Sequence, residues 1–334
     1  MSTFPEHNHQ FAMEKNNWQP SASLKTIKRR ARMLKSIRAF FDDRDVLEVE
    51  TPLLASTGNT EPHIESLQTL FREQPCYLNT SPEFAMKRLL AAYGEPVYQI
   101  CKAFRDEELG PMHNPEFTML EWYRPGFDMY QLMDEVEALV LALVDGNQEV
   151  FARISYAQLF EEYAGLDPHH ATAEDCRQCA LKYGIEQPVG LDDEKDQWLD
   201  WLLTQLVLPA LPADRFAFVY DYPASQCALA RLRMNAQGVQ VASRFELLYG
   251  EIELANGFHE LMDAGEQRQR FEAENKSRLS GNKPAIKIDE HLLSALEHGL
   301  PDCSGVALGL DRLLMVLMGD FLIDEVLSFS WSRT

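Results

Sequence analysis

Apolar residues recur at helical spacing through Leu24, Ile27, Ala31, Leu34, Ile37 and Phe41. This periodicity predicts an amphipathic helix that starts after Ser21 or Ser23 and runs to about Phe41. Alternation over Val46 to Thr51 reads as a strand, and it ends at Pro52, which has no N–H to give a ladder. Two further alternating runs, Tyr98 to Phe104 and Phe117 to Arg124, flank a charged loop and predict a strand pair. Helical patterns follow at 129–145, 155–164, 172–183 and 193–206, then strand-like runs at 216–221, 240–248 and 251–256. Helices are expected at 264–279 and 289–298, and a strand leading into a helix closes the chain at 304–318. Strand pairs with irregularly interspersed helices predict an α+β fold, an antiparallel β-sheet flanked by helices, not a doubly wound parallel sheet. Neither repeats nor a low-complexity linker divides the chain. Residues 23–334 are therefore read as one domain, behind a polar, disordered tail at 1–22.

Composition narrows what that domain can do. A chain of 334 residues, 46% apolar, can bury a sizeable core. Its longest apolar stretches, Ala138 to Val144 and Leu313 to Met318, are too short for a membrane span. The polar N-terminus lacks the apolar run of a signal peptide, so a cytoplasmic, membrane-free setting is expected. A formal charge of -21 repels phosphates on average. It argues against tRNA and favours basic partners such as lysine-rich protein segments. The six cysteines form no disulfide-like framework. Cys176 and Cys179 make a CxxC without the second pair a four-ligand zinc site needs, and read as two small apolar residues on a helix face. His7 and His9 belong to the solvated tail. Lys25, Lys28, Arg29, Arg30, Arg32, Lys35 and Arg38 crowd the first helix, as a solvated face or a docking patch.

The candidate chemistry sits in three separated blocks: FRDEE at 104–108, LYGEIELANGFHE at 248–260 and SGVALGLDR at 304–312. Together they hold what ATP-dependent activation of a carboxylate requires, namely arginines for phosphate oxygens, carboxylates for magnesium and glycines that admit a nucleotide. Period two puts Phe117, Met119, Glu121 and Tyr123 on one strand face, a mixed surface suited to a ligand. Arg105 at the strand end can fork onto a phosphate, with Glu107 or Asn114 near a base edge; a self-paired charged turn is the plain alternative. Simple alternation puts Glu251, Glu253 and Ala255 on one face, and carboxylates so crowded need a cation. Glu253 and Glu260 are the expected magnesium ligands. Gly309 would let backbone approach a nucleotide, and Arg312 in the next helix turn would reach a terminal phosphate.

Taken together, EVETP (48–52), FRDEE with HNPEFTMLEWY (104–123) and GVALGLDR (305–312) resemble motifs 1, 2 and 3 of the class II aminoacyl-tRNA synthetases. TSPEFAMKRLL (80–90), RFELLYGEIELANGFHEL (244–261) and RQRFEAEN resemble the lysine branch, and the likeness runs from residue 24 to 333. The resemblance implies that Arg105, Asp106, Glu107, Asn114, Phe117, Glu253, Leu254, Gly309 and Arg312 bind ATP, with Arg105 and Arg312 also catalytic. It implies that Ser81, Pro82, Glu83, Tyr123, Glu260 and Ala307 line the amino-acid site, and that a homodimer forms through motif 1. Three departures shift the expected function. Only about two dozen residues precede the motif 1 helix, so no anticodon-binding barrel is expected. GPMHNPEF lacks the arginine that the synthetases commonly carry before the histidine. Ala307 replaces a motif 3 glycine. With CSGVALGLDR and YPASQ (222–226), the chain resembles a freestanding lysine-type core of this family, and that resemblance implies (R)-β-lysine or lysine as substrate and a lysine of elongation factor P as acceptor. The rivals are a truncated synthetase acting on tRNA and an inactive regulatory paralogue, the latter opposed by intact Arg105, Glu253, Glu260 and Arg312.

Overall fold

The computed structural model of the chain describes residues 18–106, 108–144, 150–187 and 194–334. Most of the expected tail (1–17), His7 and His9 with it, lies outside these residues, as do Glu107 and the segments 145–149 and 188–193. A nine-stranded sheet organises the rest. Its order is Leu47–Glu48, Val97–Phe104, Glu116–Pro125, Cys303–Gly309, Ile252–His259, Gln240–Tyr249, Phe216–Pro223 and Phe151–Ser155, with Leu232–Met234 also paired to Gln240–Tyr249. Pairing through the six central strands is antiparallel, and only the two outermost strands of that order join in parallel. The α+β fold with an antiparallel sheet flanked by helices is the fold expected from the sequence.

Alternation then gives the sheet two unlike faces. Leu120, Trp122, Val306, Leu308 and Leu247 point to one side, where they pack with Met33, Ile37 and Phe41 of helix Leu24–Asp42, with helix Met129–Leu143, and with helix Leu310–Met318. Each such side chain contributes about 1.5–3 kcal/mol by leaving water. The other face stays open as a cavity, walled by helices Glu83–Tyr93 and Ala264–Ser280 and by the segment 56–66, which links the first two chain-order strands of a small sheet made of Leu54–Ala55, Gln74–Leu78 and Gln68–Phe71.

Several details depart from the periodicity. Only Leu47–Glu48 of the expected 46–51 strand pairs with the sheet, and the chain then leaves for the small sheet at Leu54–Ala55. Helix Glu83–Tyr93, closed by left-handed Gly94, was not anticipated at all. The helix expected over 193–206 is α-helical at Lys195–Leu202 and continues as a π turn, Leu203–Val207. The first helix starts at Ser23, whose hydroxyl accepts from Thr26 N. Its basic residues divide: Arg30 turns inward to pair with buried Asp311 at 2.6 Å, while Lys25, Lys28, Arg32 and Lys35 face solvent. Cys176 and Cys179 are buried in an apolar cluster, as two core residues would be. Among the described residues no helix is long and apolar enough to cross a membrane.

Candidate active site

The cavity encloses about 1130 Å³, room for a nucleotide and a second small molecule. Its floor follows from period two. Phe117, Met119, Glu121 and Tyr123 line it from one strand, as expected, and Gly309, Ala307 and Gly305 line it from the next. These residues pair across the strands as Met119 with Gly309, Glu121 with Ala307, and Tyr123 with Gly305. Three small residues at alternate positions make a trough. Ala307 lies between Glu121 and Asn256, so its methyl narrows the middle.

The third floor strand does not alternate simply. Leu247 pairs with Ala255 but Leu248 pairs with Glu253, so Leu254 is an extra residue, a β-bulge. The bulge brings Glu253 onto the same cavity-facing side as Asn256 and Glu260, and Ala255 and the Leu254 side chain into the core. Glu251 falls in the tight turn with Gly250. The expected grouping of Glu251, Glu253 and Ala255 on one face is thereby corrected. Glu253 and Glu260 are also too far apart for one ion, since seven residues of extended chain span roughly 20 Å.

At one end of the trough lies a charged cluster. Lys87, fully buried on helix Glu83–Tyr93, places Nζ 2.6 Å from Glu83 Oε1 and 2.6 Å from Glu260 Oε2. Buried Glu121 accepts from Ser81 Oγ at 2.6 Å and from Tyr123 OH at 2.7 Å. Glu83, Glu121 and Glu260 thus set three carboxylates against one ammonium. Burial, opposed by Lys87 and reinforced by Glu83, pushes the Glu260 carboxyl above the usual range. Burial and the charge of Glu83 do the same to Glu121. For Lys87 burial works against the charged form, but Glu260 and Glu83 outweigh it and raise its pKa. Such a site is short of positive charge and accepts a cation.

The opposite end is rich in arginine. Arg105 Nη1 pairs with Glu108 at 3.2 Å, with its guanidinium 5.2 Å from the centre of the Phe117 ring. The self-paired turn is therefore present, yet Arg105, Glu108 and Phe117 all line the cavity. Arg312, in the first turn of helix Leu310–Met318, donates to the Glu253 carbonyl at 3.0 Å and meets His113 Nε2 at 2.6 Å. Asn114 accepts from Trp331 N and donates to the Glu116 carbonyl, so it also anchors the C-terminal segment. Asp106 pairs through its backbone with Glu65 and is not among the lining residues, while Glu107 lies outside the described ones. Gly309 leaves room for an added Cβ, whose nearest neighbour would be Leu254 O at an ordinary contact distance of 3.8 Å.

Sequence reasoning missed Lys87 and the pair Glu246 with Arg244. Glu246 lines the cavity three strands over from Glu121, pairs with Arg244, and lies close enough to Glu253 to affect it. Enclosure in the cleft and then the charge of Glu246 push the Glu253 carboxyl up. The signal was available: RFE inside an apolar strand puts two charges where a sheet normally buries none. Among the described residues no group of three His, Cys, Asp or Glu side chains is placed to hold a metal ion. The repelling pair Glu246 and Glu253 still suits an ion that takes one or two carboxylates and completes its shell with phosphate oxygens and water.

A family model described as tRNA synthetases class II (D, K and N) matches residues 3–333. The chain belongs to this family. The protein is thus a class II synthetase-type enzyme, an ATP-dependent ligase. Among curated relatives, elongation factor P–(R)-β-lysine ligase of Edwardsiella ictaluri is 46% identical over 323 residues, 95% of this chain and 98% of that protein. The ligases of the same name from Salmonella arizonae and Pasteurella multocida are each 45% identical, covering 96% and 95% of this chain and 99% and 98% of their own lengths.

Proposed function

We propose that this class II chain activates (R)-β-lysine, or lysine, with ATP and transfers it to a lysine ε-amine of elongation factor P. The observation that carries the reading is the cluster of Glu83, Glu121 and Glu260 around Lys87, at the far end of a trough whose near end holds Arg105 and Arg312. A diamino acid lying along that trough offers its carboxylate to the nucleotide and its ammonium groups to the carboxylates. Relatives that share nearly their whole length with this chain are named for this reaction.

In the first step a substrate carboxylate oxygen attacks the α-phosphorus of ATP. The bond to the β-phosphate breaks and pyrophosphate leaves. In the second, the acceptor nitrogen attacks the acyl carbon of the mixed anhydride, the bond to AMP breaks, and the nitrogen gives up a proton as the amide forms. Arg105 and Arg312 would hold phosphate oxygens, Phe117 would carry the adenine ring, and the backbone at Leu254 and Gly309 would border the nucleotide. Catalysis of this kind is positioning and charge stabilisation, without a protein nucleophile. Glu246 and Glu253 are the residues that would hold magnesium, which supplies neutralisation of the phosphate charge when bound. The Ala307 methyl would crowd an α-amino acid more than a β-amino acid, a selection worth about 1–3 kcal/mol.

A tRNA acceptor is the second enzymatic reading, disfavoured by the net charge of -21. A homodimer in the cytoplasm completes the proposal. The test is to offer the enzyme ATP and (R)-β-lysine with either unmodified elongation factor P or tRNA. Elongation factor P should gain the mass of one lysyl group, and tRNA should gain none. Acylated tRNA with unchanged elongation factor P would reverse the assignment.

A further inference from the structure

The pairing of strand Glu116–Pro125 with strand Cys303–Gly309 ends at Met119 with Gly309, where the chain turns into helix Leu310–Met318. One step further along, the N–H of Thr118 donates to Asp311 Oδ2 at 2.6 Å, a carboxylate standing in for the next strand carbonyl. Asp311 is almost fully buried, and a carboxylate so placed is unfavourable unless it is paired. Its partner comes from the first helix. Arg30 Nη2 lies 2.6 Å from Asp311 Oδ1 and donates to Thr118 Oγ1 at 2.7 Å. One guanidinium thus ties the first helix to both the strand Glu116–Pro125 and the helix Leu310–Met318. The neighbours of the two tied residues belong to the arginine-rich end of the trough. Phe117 precedes Thr118, and Arg312 follows Asp311, about 100° further round its helix. Phe117, Thr118, Asp311 and Arg312 all line the cavity, whereas Arg30 lies outside its lining.

We infer that Arg30 is a positioning residue for the nucleotide, acting through Asp311 and Thr118 to set the direction of Arg312 and of the strand end that presents Phe117. The inference rests on the reading of Arg312 and Phe117 as nucleotide contacts. Leu310, Leu313 and Leu314 hold the helix against the core, but apolar contact is not directional. The hydrogen bond and ion pair at the first turn are directional, and they fix how that turn is rotated about the helix axis. Arg312 inherits that setting, from which it reaches the Glu253 carbonyl and His113 Nε2. Without Arg30 the buried Asp311 carboxylate is left without its counter-charge. Turning it toward the open cavity relieves the strain of burial and swings Arg312 away. Removing both charges has the opposite result. An Asn at position 311 still offers an oxygen to the Thr118 N–H and leaves no unpaired charge behind.

The experiment is ATP–pyrophosphate exchange with ATP and lysine varied separately. It compares the parent, Arg30→Met, the double variant Arg30→Met/Asp311→Asn, and Lys28→Met as a control from the exposed side of the same helix. Arg30→Met should lower kcat/KM for ATP by about 10²-fold, the effect a misplaced positioning group gives. The KM for lysine at saturating ATP should stay within about threefold, because its site lies at the other end of the trough. Adding Asp311→Asn should win back at least about tenfold of the lost ATP efficiency, a recovery that general loosening would not give. Lys28→Met should behave like the parent. If Arg30→Met does not fold, Arg30→Lys takes its place. There the charge stays but one ammonium replaces a fork, so a smaller deficit should appear, still confined to ATP. Parent-like ATP efficiency in the folded Arg30 variants, equal losses for ATP and lysine, no recovery in the double variant, or an equal ATP loss in Lys28→Met would each overturn the inference. Arg312→Ala tests the reading beneath it. A loss of ATP efficiency there leaves that reading standing whatever Arg30 does, and parent-like exchange would remove the reading and the inference together.

Discussion

Gly305→Ala should reduce diamino-acid activation by about 10²-fold or more, because small displacements of substrate-positioning groups have effects of that size. An added Cβ would overlap the Tyr123 ring and approach Glu260 Oε1 to 2.7 Å. Neither group can yield cheaply: the Tyr123 hydroxyl is tied to Glu121, and Glu260 is tied to Lys87. Overpacking of this kind also costs roughly 1–3 kcal/mol of stability. The neighbouring Gly309→Ala is the contrast, since there the nearest protein atom to an added Cβ is 3.8 Å away. Steady-state kinetics and thermal melting on both variants check the pair. Gly305→Ala should lose activation and melt early, and Gly309→Ala should melt like the parent. A Gly305→Ala enzyme with ordinary kinetics would show that the far end of the trough does not hold substrate.

Arg105→Ala should lower adenylate formation by about 10²–10³-fold, the range seen when one donor to a developing anionic charge is removed. Arg105 is held by Glu108 and lies near the Phe117 ring at the mouth of the trough, partly exposed and buried in no core cluster. Its loss should therefore leave the melting temperature close to that of the parent. The deficit should appear in kcat, measured as pyrophosphate exchange at saturating lysine. Parent-like exchange by Arg105→Ala would remove this residue from the phosphate site.

Much of this was legible in the chain. Two alternating runs around a charged loop specify the Glu116–Pro125 strand and its floor residues Phe117, Met119, Glu121 and Tyr123, because alternation depends only on the geometry of extended backbone. What alternation could not see was the bulge at Leu254. One unpaired residue reverses the phase of everything before it, so Glu253 joined Glu260's face for a reason no period-two count contains. Nor could local pattern find the partners of the carboxylates. Glu260 meets Lys87 across 173 residues of sequence, and Asp311 meets Arg30 across more, as products of tertiary packing alone. Helix Glu83–Tyr93 is hard to read because its buried face mixes Met86 and Leu90, four apart, with the charged Lys87, which breaks the apolar stripe.

The most direct measurement of the central idea is ATP–pyrophosphate exchange by the unsubstituted enzyme, supplied in turn with (R)-β-lysine, lysine and norleucine. Exchange that depends on either diamino acid and is absent with norleucine is the result required by a trough with carboxylates at one end and arginines at the other. Exchange with norleucine as fast as with lysine, or none with either lysine isomer, would contradict it.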